Sequence, residues 1–310
     1  MAGAKRATLK DVAAASGVSR ATVSFVLNDT PNQSISQATR ARILAVVRDL
    51  GYKPHGIARA LREGTSRIVV LYIDSGLEGN YSRSYLRGLD EELAAHDHVL
   101  VVRHGPTGAG AEQQLRDAIN PRAVVHFAEA YRTGHELEDR GGGRRDGLAA
   151  HTMLQIGCLA AHGHTRIALA LPDAQAPLRE IRELFSRQAA GELGLPSPVT
   201  VVVPRPRDAG TAAVAEFRGG HPAVTAFAGY DDDVALRTLT ALHDLGVDVP
   251  GEAAVMGFDD TEYGALFTPA LTTVHIDAEA HGRIAARDVL GLPTADLQAV
   301  PARVIERHTV

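Results

Sequence analysis

The sequence predicts two parts of different fold class: a small all-α head at the amino terminus and a larger α/β body. In the first 62 residues the apolar side chains recur at helical spacing. From Arg67 onward, short runs of Val, Ile, Leu and Ala alternate with amphipathic helical segments. Repeated strand–helix units of this kind are typical of a parallel sheet with right-handed crossovers.

Charge is distributed unevenly between these two parts. Residues 1–62 hold ten Lys or Arg against three Asp, a net charge of +7, so the remainder of the −5 chain carries −12. A basic head on an acidic body is typical of a nucleic-acid-binding module joined to a second domain.

Composition excludes several classes of protein. At 310 residues, 45% of them hydrophobic, the chain can bury a real core, and its only cysteine, Cys158, cannot form a disulfide framework. No apolar run reaches the roughly 18 residues of a membrane-spanning helix, and no hydrophobic signal segment begins the sequence. We therefore expect a soluble, cytoplasmic (nucleoid-associated) protein without a membrane partner.

The beginning of the head has the signals of two short helices at an angle. Thr8 and Asp11 have the spacing of a capping box for a helix over residues 9–15. Gly17 suits a turn with positive φ, and Ser19 caps a second helix over residues 20–27. The small Ala13 permits a close crossing. The side chains expected to meet inside the angle are Val12, Val18, Val23 and Val26. This pattern favours a helix-turn-helix over an ordinary helical hairpin.

A third helix and a short connecting segment follow. Ser36 caps the third helix and Gly51 ends it, and its apolar stripe consists of Ile43, Leu44, Val47 and Leu50. After Pro54, the segment HGIARALREG is about two turns long and contains Gly56, so its helix is marginal alone.

The head resembles the amino-terminal part of LacI/GalR-family transcriptional regulators. The resemblance rests on TLKDVAAASGVSRATVSFVLN, TRARILAVVRDLGYKP and IARAL. It implies that the second helix enters the major groove and that IARAL is a hinge helix that folds on the operator, with Leu61 wedged into the minor groove. The expected DNA contacts are Thr8, Ser19, Arg20, Ala21, Thr22, Ser24, Phe25, Asn28, Arg59, Leu61 and Arg62.

The resemblance continues through the body to the carboxyl terminus. It rests on GHTRIALA, YDDDVALRTLTAL, VMGFDDTEYGALFTPALTTVHID and VIERHTV. It implies a fold like that of a periplasmic binding protein, with two lobes and a ligand cleft between them. The expected divisions are a DNA-binding domain 1–53, a hinge 54–64 and an effector and dimerisation domain 65–310. Within the last, lobe one covers about 65–162 and 275–291, and lobe two about 163–274 and 292–310.

The resemblance also implies five effector contacts: Asn80, Tyr81, Arg182, Asp231 and Asp259. Asp231 stands where the family usually has Asn. From the residues alone, the two acids are equally well explained as helix caps and Tyr81 as a packing residue, whereas a solvated helix position is the weaker explanation of Arg182. The sequence departs from the family at about residues 129–146, where AYRTGHELEDRGGGRR replaces a further strand and helix.

Signals for catalysis or cofactor binding are weak. GPTGAG has the wrong glycine order for a dinucleotide loop, and His162 and His164 lack partners at metal-ligand spacing. We therefore expect no catalytic residue, cofactor or metal. The predicted function is a homodimeric regulator, more specifically a repressor, with duplex DNA and a sugar-like or nucleoside-like small-molecule effector as partners. The alternative is a small-molecule-binding protein or an enzyme on the same α/β fold, which the basic head disfavours.

Overall fold

The computed structural model describes residues 7–52, 64–73, 79–105, 108–127, 147–173 and 179–310. The chain divides between Arg67 and Ile68 into two compact units, which are described separately. Among the helices of the described residues, none is long and apolar enough to cross a membrane.

The first unit has the three helices that the sequence predicts: α1 (Leu9–Ser16), α2 (Arg20–Leu27) and α3 (Gln37–Asp49). Thr8 and Asp11 form the capping box, since Thr8 Oγ1 accepts from Asp11 N and the Asp11 carboxylate accepts from Thr8 N. Ser19 and Ser36 cap α2 and α3 in the same way. Gly17 has a φ of 65°, which confirms the turn between α1 and α2.

The core of this unit corrects one detail of the predicted apolar stripe on α3. Ile43 is fully buried, and Val46 and Val47 pack against the same core, but Leu44 and Leu50 are 38% and 41% exposed. Positions three and four residues after Ile43 share its face, whereas Leu44 is rotated away from it. The other buried core residues are Val12, Ala13, Val23 and Val26, with Val18 packed beside them.

The second unit contains two lobes, each with its own parallel sheet. Lobe one has the strand order β2-β1-β3, and lobe two the order β5-β4-β6-β7. The elements of lobe one are β1 (Ile68–Ile73), α4 (Asn80–Ala95), β2 (Val99–His104), α5 (Ala109–Ile119) and β3 (Ala123–His126).

Lobe two is built mainly from the following stretch of chain. Its elements are α6 (Leu148–Ala161), β4 (Ile167–Leu171), α7 (Arg179–Glu192), β5 (Val199–Val202), α8 (Arg207–Gly220), β6 (Ala226–Gly229), α9 (Asp232–Asp244), β7 (Ala254–Met256) and a 3-10 segment (Glu262–Leu266). The chain ends with β8 (Thr273–His275), α10 (Ala278–Leu290) and β9 (Arg303–Ile305), and β8 and β9 pair antiparallel. The core of lobe two includes Phe227, Leu239 and Met256.

Helix α6 belongs to lobe two, which differs from the expected crossing near Gly163. Ile156 and Leu159 are fully buried in the core of lobe two. The Gln155 side chain donates to the carbonyl oxygens of Gly229, Met256 and Gly257 on the strands of the same lobe. These contacts place the helix on the second sheet before the chain enters β4. Helix α10, in contrast, returns to lobe one, where Ala286 joins the first core.

The strands differ in burial, although continuous apolar runs such as theirs are typical of strands buried on both faces. The central strands β4 and β6 are buried along their length, but the edge strands β2 and β5 are not, and Val99 is 59% exposed. Strands β8 and β9 have three residues each, too few for a periodic pattern to predict.

Helices α4 and α10 cross at a distance that only glycine permits. A Cβ on Gly282 would lie 2.1 Å from the carbonyl oxygen of Tyr85, and one on Gly88 would lie 2.0 Å from that of Glu279. The crossing is bordered by ion pairs of Arg287 with Glu92 and of Arg87 with Glu279. Because the atoms facing each glycine are backbone, a side chain there forces the helices apart.

Replacing Gly282 with Ala should therefore destabilise the body by about 1–3 kcal/mol, the usual cost of overpacking. Gly157→Ala in α6 is the matched control, because a Cβ there meets nothing within 4 Å. The control should leave stability unchanged or raise it by about 0.5–1 kcal/mol through helix propensity. Urea unfolding of both variants measures the difference; equal stability of the two would contradict the close crossing.

Candidate functional site

In the head, the residues predicted to contact DNA lie on the outer side of α2 and at its beginning. Ser19, Arg20, Ala21 and Asn28 are exposed, whereas Val23 and Val26 face the core. A further three predicted contacts, Thr22, Ser24 and Phe25, are half-buried. The helix thus presents its amino terminus and one face to solvent, as a helix entering the major groove must.

Several of these side chains are already oriented by local bonds. Ser19 Oγ accepts from Thr22 N at 3.1 Å, and Asn28 Nδ2 donates to Ser24 Oγ at 3.1 Å. Thr8 is committed to the capping box of α1. The predicted hinge contacts Arg59, Leu61 and Arg62 lie outside the described residues, as does the segment at 129–146.

In the second unit, the predicted effector residues converge at the carboxyl ends of the parallel strands, where ligands bind in such sheets. Asp231 follows β6, and Asp259 follows β7. Asn80 and Tyr81 begin α4 of lobe one, and Arg182 reaches the site from α7 of lobe two. The site therefore draws on both lobes.

A single carboxylate joins the two lobes. Oδ2 of Asp259 accepts from the backbone N–H groups of Asn80 at 2.9 Å and Tyr81 at 3.1 Å. These are the first amides of α4, and Gly79 at its N-cap position has no side chain to satisfy them. An acid of lobe two thus caps a helix of lobe one, an arrangement we call the interlobe clasp.

The clasp is reciprocal and involves backbone strain. Asn80 Nδ2 donates to the carbonyl oxygens of Asp259 at 2.8 Å and Asp260 at 3.0 Å. These two residues have φ values of 100° and 50°, a region that non-glycine residues rarely adopt. Such strain persists only where surrounding contacts enforce it, and it is concentrated at functional sites.

Gly79 permits the close approach of the two lobes. Its φ is 131°, and a Cβ there would lie 2.8 Å from Asp259 Oδ2 and 3.7 Å from Asp231 Oδ2. Both acids therefore flank the same point on the backbone. The sequence alone does not indicate this role of Gly79, because the acids whose side chains need the space, Asp231 and Asp259, are about 150 to 180 residues away along the chain.

Arg182 is fully buried, which excludes the solvated role. Its guanidinium donates to Thr152 Oγ1 at 2.6 Å and Gln155 Oε1 at 2.8 Å, and it lies 3.7 Å from the centre of the Phe258 ring. Burial lowers the pKa of Arg182 to about 10, while the nearby Asp231 and Asp259 oppose that shift. Arg182 is therefore a charged donor at neutral pH, and its Nε finds no hydrogen-bond partner within the ranges that the structure describes.

A second buried acid, Asp232, fixes the loop that carries Asp259. Its carboxylate accepts from Phe258 N at 2.7 Å, Thr261 N at 2.6 Å and Thr273 Oγ1 at 2.5 Å. These three bonds bracket Asp259 in sequence and hold it in its strained conformation. Asp232, Gln155 and Phe258 are functional neighbours that the sequence analysis did not predict, because no local pattern marks their contacts.

Asp231 both caps a helix and faces the cleft. Its Oδ1 accepts from Val234 N at 2.8 Å at the beginning of α9. Its other oxygen points toward Gly79 and Asp259. Helix capping, which was the alternative to ligand binding for Asp231, is therefore present. It uses only one of the two carboxylate oxygens.

Burial raises the pKa values of these acids. The pKa of Asp231 rises to about 7 and that of Asp232 to about 6, in each case chiefly through desolvation. Desolvation and the charges of Asp232 and Asp231 raise the pKa of Asp259 well above its ordinary value. The cluster is therefore partly protonated near neutral pH.

The remaining candidates have structural partners. Tyr81 packs against Tyr85, Phe127 and His281, and its hydroxyl lies 3.2 Å from His281 Nδ1, which favours the packing role. His162 Nδ1 forms a hydrogen bond with Cys158 O, and His164 Nδ1 forms one with Thr225 Oγ1. Within the described ranges, no group of three His, Cys, Asp or Glu residues could hold a metal ion.

Two family models match this chain. Residues 8–55 match the model of bacterial regulatory proteins of the lacI family, and residues 156–310, half of the chain, match the periplasmic binding protein-like domain. The chain belongs to the LacI/GalR family of transcriptional regulators. The predicted family, the helical head and the α/β body with parallel sheets are confirmed.

Individual relatives agree with this assignment. The regulator MalR of Streptomyces coelicolor is 29% identical, with 91% of this chain and 89% of MalR covered. GalR of Escherichia coli is 29% identical, with 98% and 96% covered. The lac repressor dimer bound to operator and the anti-inducer ONPF has the same fold, with a TM-score of 0.77 at 21% identity and coverage of 98% and 99%. These relatives are transcriptional regulators and not enzymes. This chain is accordingly a DNA-binding regulator.

Stability of the body should decrease as pH rises from 5 to 8. A carboxyl whose pKa is raised in the folded state stabilises the fold while it is protonated, and this contribution is lost as pH rises through the folded pKa. For Asp231 and Asp232, that loss is complete only above about pH 7 and 6 respectively.

Asp231→Asn should flatten this pH dependence, because Asn keeps a capping oxygen but has no charge to desolvate. The comparison requires urea midpoints of wild type and variant at pH 5, 6, 7 and 8. Parallel curves for the two proteins would show that Asp231 does not titrate in this range.

Proposed function

We propose that this regulator is a homodimeric repressor that binds a palindromic operator and is modulated by a sugar-like or nucleoside-like effector in the cleft. The main support for the proposal is that one chain combines two features. Helix α2 is exposed and capped at its amino terminus, and in the body Asp259 joins the two lobes at a polar site. A small-molecule-binding protein or an enzyme on the same α/β fold has no need of the first feature.

The head supports base reading from the beginning of α2. Arg20 is exposed at the first position of the helix, directly after the Ser19 cap. An arginine there can donate two hydrogen bonds to a guanine edge, the commonest specific contact in the major groove. The neighbouring Ala21, Thr22, Ser24, Phe25 and Asn28 provide the remaining surface of the helix for bases and phosphates. In the same proposal, Arg59, Leu61 and Arg62 contact the operator from the hinge.

Exposed apolar side chains support dimerisation of the body. Leu266 is 75% exposed, Tyr263 is 47% exposed and Phe267 is 38% exposed, all within five residues. Monomeric proteins rarely leave large apolar side chains concentrated in this way. The solved relative is a lac repressor dimer on its operator, and two heads related by two-fold symmetry suit a palindromic site.

The cleft supports a polyhydroxyl effector. Among the described residues, neither the buried acceptor Asp259 Oδ1 nor the buried donor Arg182 Nε has a hydrogen-bond partner. A hydroxyl group both donates and accepts, so a sugar or nucleoside can satisfy both atoms. Because Oδ2 of the same Asp259 holds α4, a ligand on Oδ1 acts on the residue that joins the lobes. Effector occupancy and lobe closure are thereby coupled through one side chain.

Arg20→Ala should abolish the base preference at one position of each operator half-site, at a cost of about 1–3 kcal/mol in discrimination. The matched control is Arg48→Ala, which removes the same charge from an exposed site on α3. The control should weaken binding evenly across sequences, because it removes only a long-range charge.

Operators are selected from a random library with wild type and both variants at one fixed salt concentration. An unchanged selected sequence for Arg20→Ala would refute base reading by this residue. Failure of the wild type to select any sequence would refute the regulator's proposed operator binding.

A further inference from the structure

Two carboxylate oxygens at this site receive no hydrogen bond from the residues that the structure describes. One of them is Asp259 Oδ1, which is buried. The other is Asp231 Oδ2, which receives no hydrogen bond in the described part of the chain, whereas Asp231 Oδ1 caps α9. The two carboxylates lie close together: the distances from the Gly79 Cβ position to Asp259 Oδ2, the oxygen that caps α4, and to Asp231 Oδ2 are 2.8 and 3.7 Å and sum to 6.5 Å, so these two Oδ2 atoms are no farther apart than that.

The neighbouring cations do not pair with these acids. Arg182 directs its hydrogen bonds to Thr152, Gln155 and the carbonyl of Gly229. Arg237 of α9 donates to the carbonyl of Val203 and lies 3.9 Å from Asp173. Across the described residues, no Lys, Arg or His nitrogen lies within 4.0 Å of the Asp231 or Asp259 carboxylate. The long-range attraction of the two arginines therefore remains, but neither gives the pair a direct salt bridge.

Two adjacent carboxylates without a direct counter-ion are costly to keep ionised in a buried site. Asp232 and Asp233 of α9 add further negative charge beside them. The raised pKa values of Asp231 and Asp259 show the consequence, since protonation relieves the repulsion. A ligand that brings its own positive charge can replace that proton, whereas an anionic ligand adds to the repulsion.

We propose that the effector of this regulator is a cationic polyol, with a protonated amine bound between Asp231 and Asp259 and its hydroxyl groups on the remaining polar atoms of the cleft. This inference rests on the proposed effector function and specifies the class of ligand. An ammonium has three donors and no acceptor, which suits two oxygens that can only accept when ionised. An organic cation fits better than a metal ion, because the described residues provide no three-ligand group.

The test uses the intact chain and three matched pairs of probes: glucosamine with glucose, galactosamine with galactose, and mannosamine with mannose. Glucuronate serves as the anionic probe. Calorimetric titration at pH 7.5 should show at least one amino sugar binding about tenfold or more tightly than its neutral partner, a difference of about 1.4 kcal/mol. Glucuronate should bind more weakly than glucose.

Asp231→Asn separates charge from structure, because Asn retains a capping oxygen for α9. It should remove the tenfold preference for the amino sugar, because the amide carries no charge to attract an ammonium group. Asp208→Asn removes the same charge from an exposed position on α8 and should leave the preference intact.

Operator binding is measured on the same preparations. A chain that recognises its operator but binds neutral sugars as tightly as amino sugars, or binds none of the six, overturns the amine inference and leaves the regulatory function standing. A chain that prefers amino sugars but selects no operator supports the amine site and overturns the regulatory function. Retention of the preference in Asp231→Asn also overturns the proposed placement of the ammonium.

Discussion

The junction between the two lobes depends on one carboxylate, that of Asp259 in lobe two, which caps a helix of lobe one. Its Oδ2 accepts the first amides of α4, and its buried Oδ1 has no hydrogen-bond partner in the described part of the chain. Asp232 holds the loop that presents it, and Gly79 leaves the space that it occupies. Placing Asp259 there strains the backbone of Asp259 and Asp260, which both have positive φ. The hydrogen bonds of Asp232 to Phe258 N and Thr261 N hold this strained loop in place.

Under the proposed function, a small ligand acts on lobe one through this carboxylate. A ligand bound to Oδ1 changes the charge available at Oδ2 and thereby the cap of α4. Helix α4 packs on α10 through Gly88 and Gly282 without intervening side chains. The helix that Asp259 caps is therefore closely packed within lobe one.

The sequence predicted the features that depend on neighbouring residues. The caps Thr8, Ser19 and Ser36 and the glycine turn at Gly17 are local, and all are confirmed. The lobe assignment of α6 depends on Gln155 reaching carbonyls more than 70 residues away, and the clasp joins residues about 180 apart. For Asp231, helix capping and ligand binding appeared as alternatives because sequence cannot show that a carboxylate divides its two oxygens between them.

Amide hydrogen exchange at Asn80 and Tyr81 tests the interlobe clasp most directly. The comparison is between wild type, Asp259→Asn, which keeps an acceptor oxygen, and Asp259→Gly, which removes the acceptor but tolerates the φ of 100°. We expect protected amides in wild type and in the Asn variant, and exchange at least tenfold faster in the Gly variant, with the core amides of β4 unchanged. Equal protection of Asn80 and Tyr81 in all three proteins would show that Asp259 does not hold α4, and would contradict the coupling of effector and lobe closure.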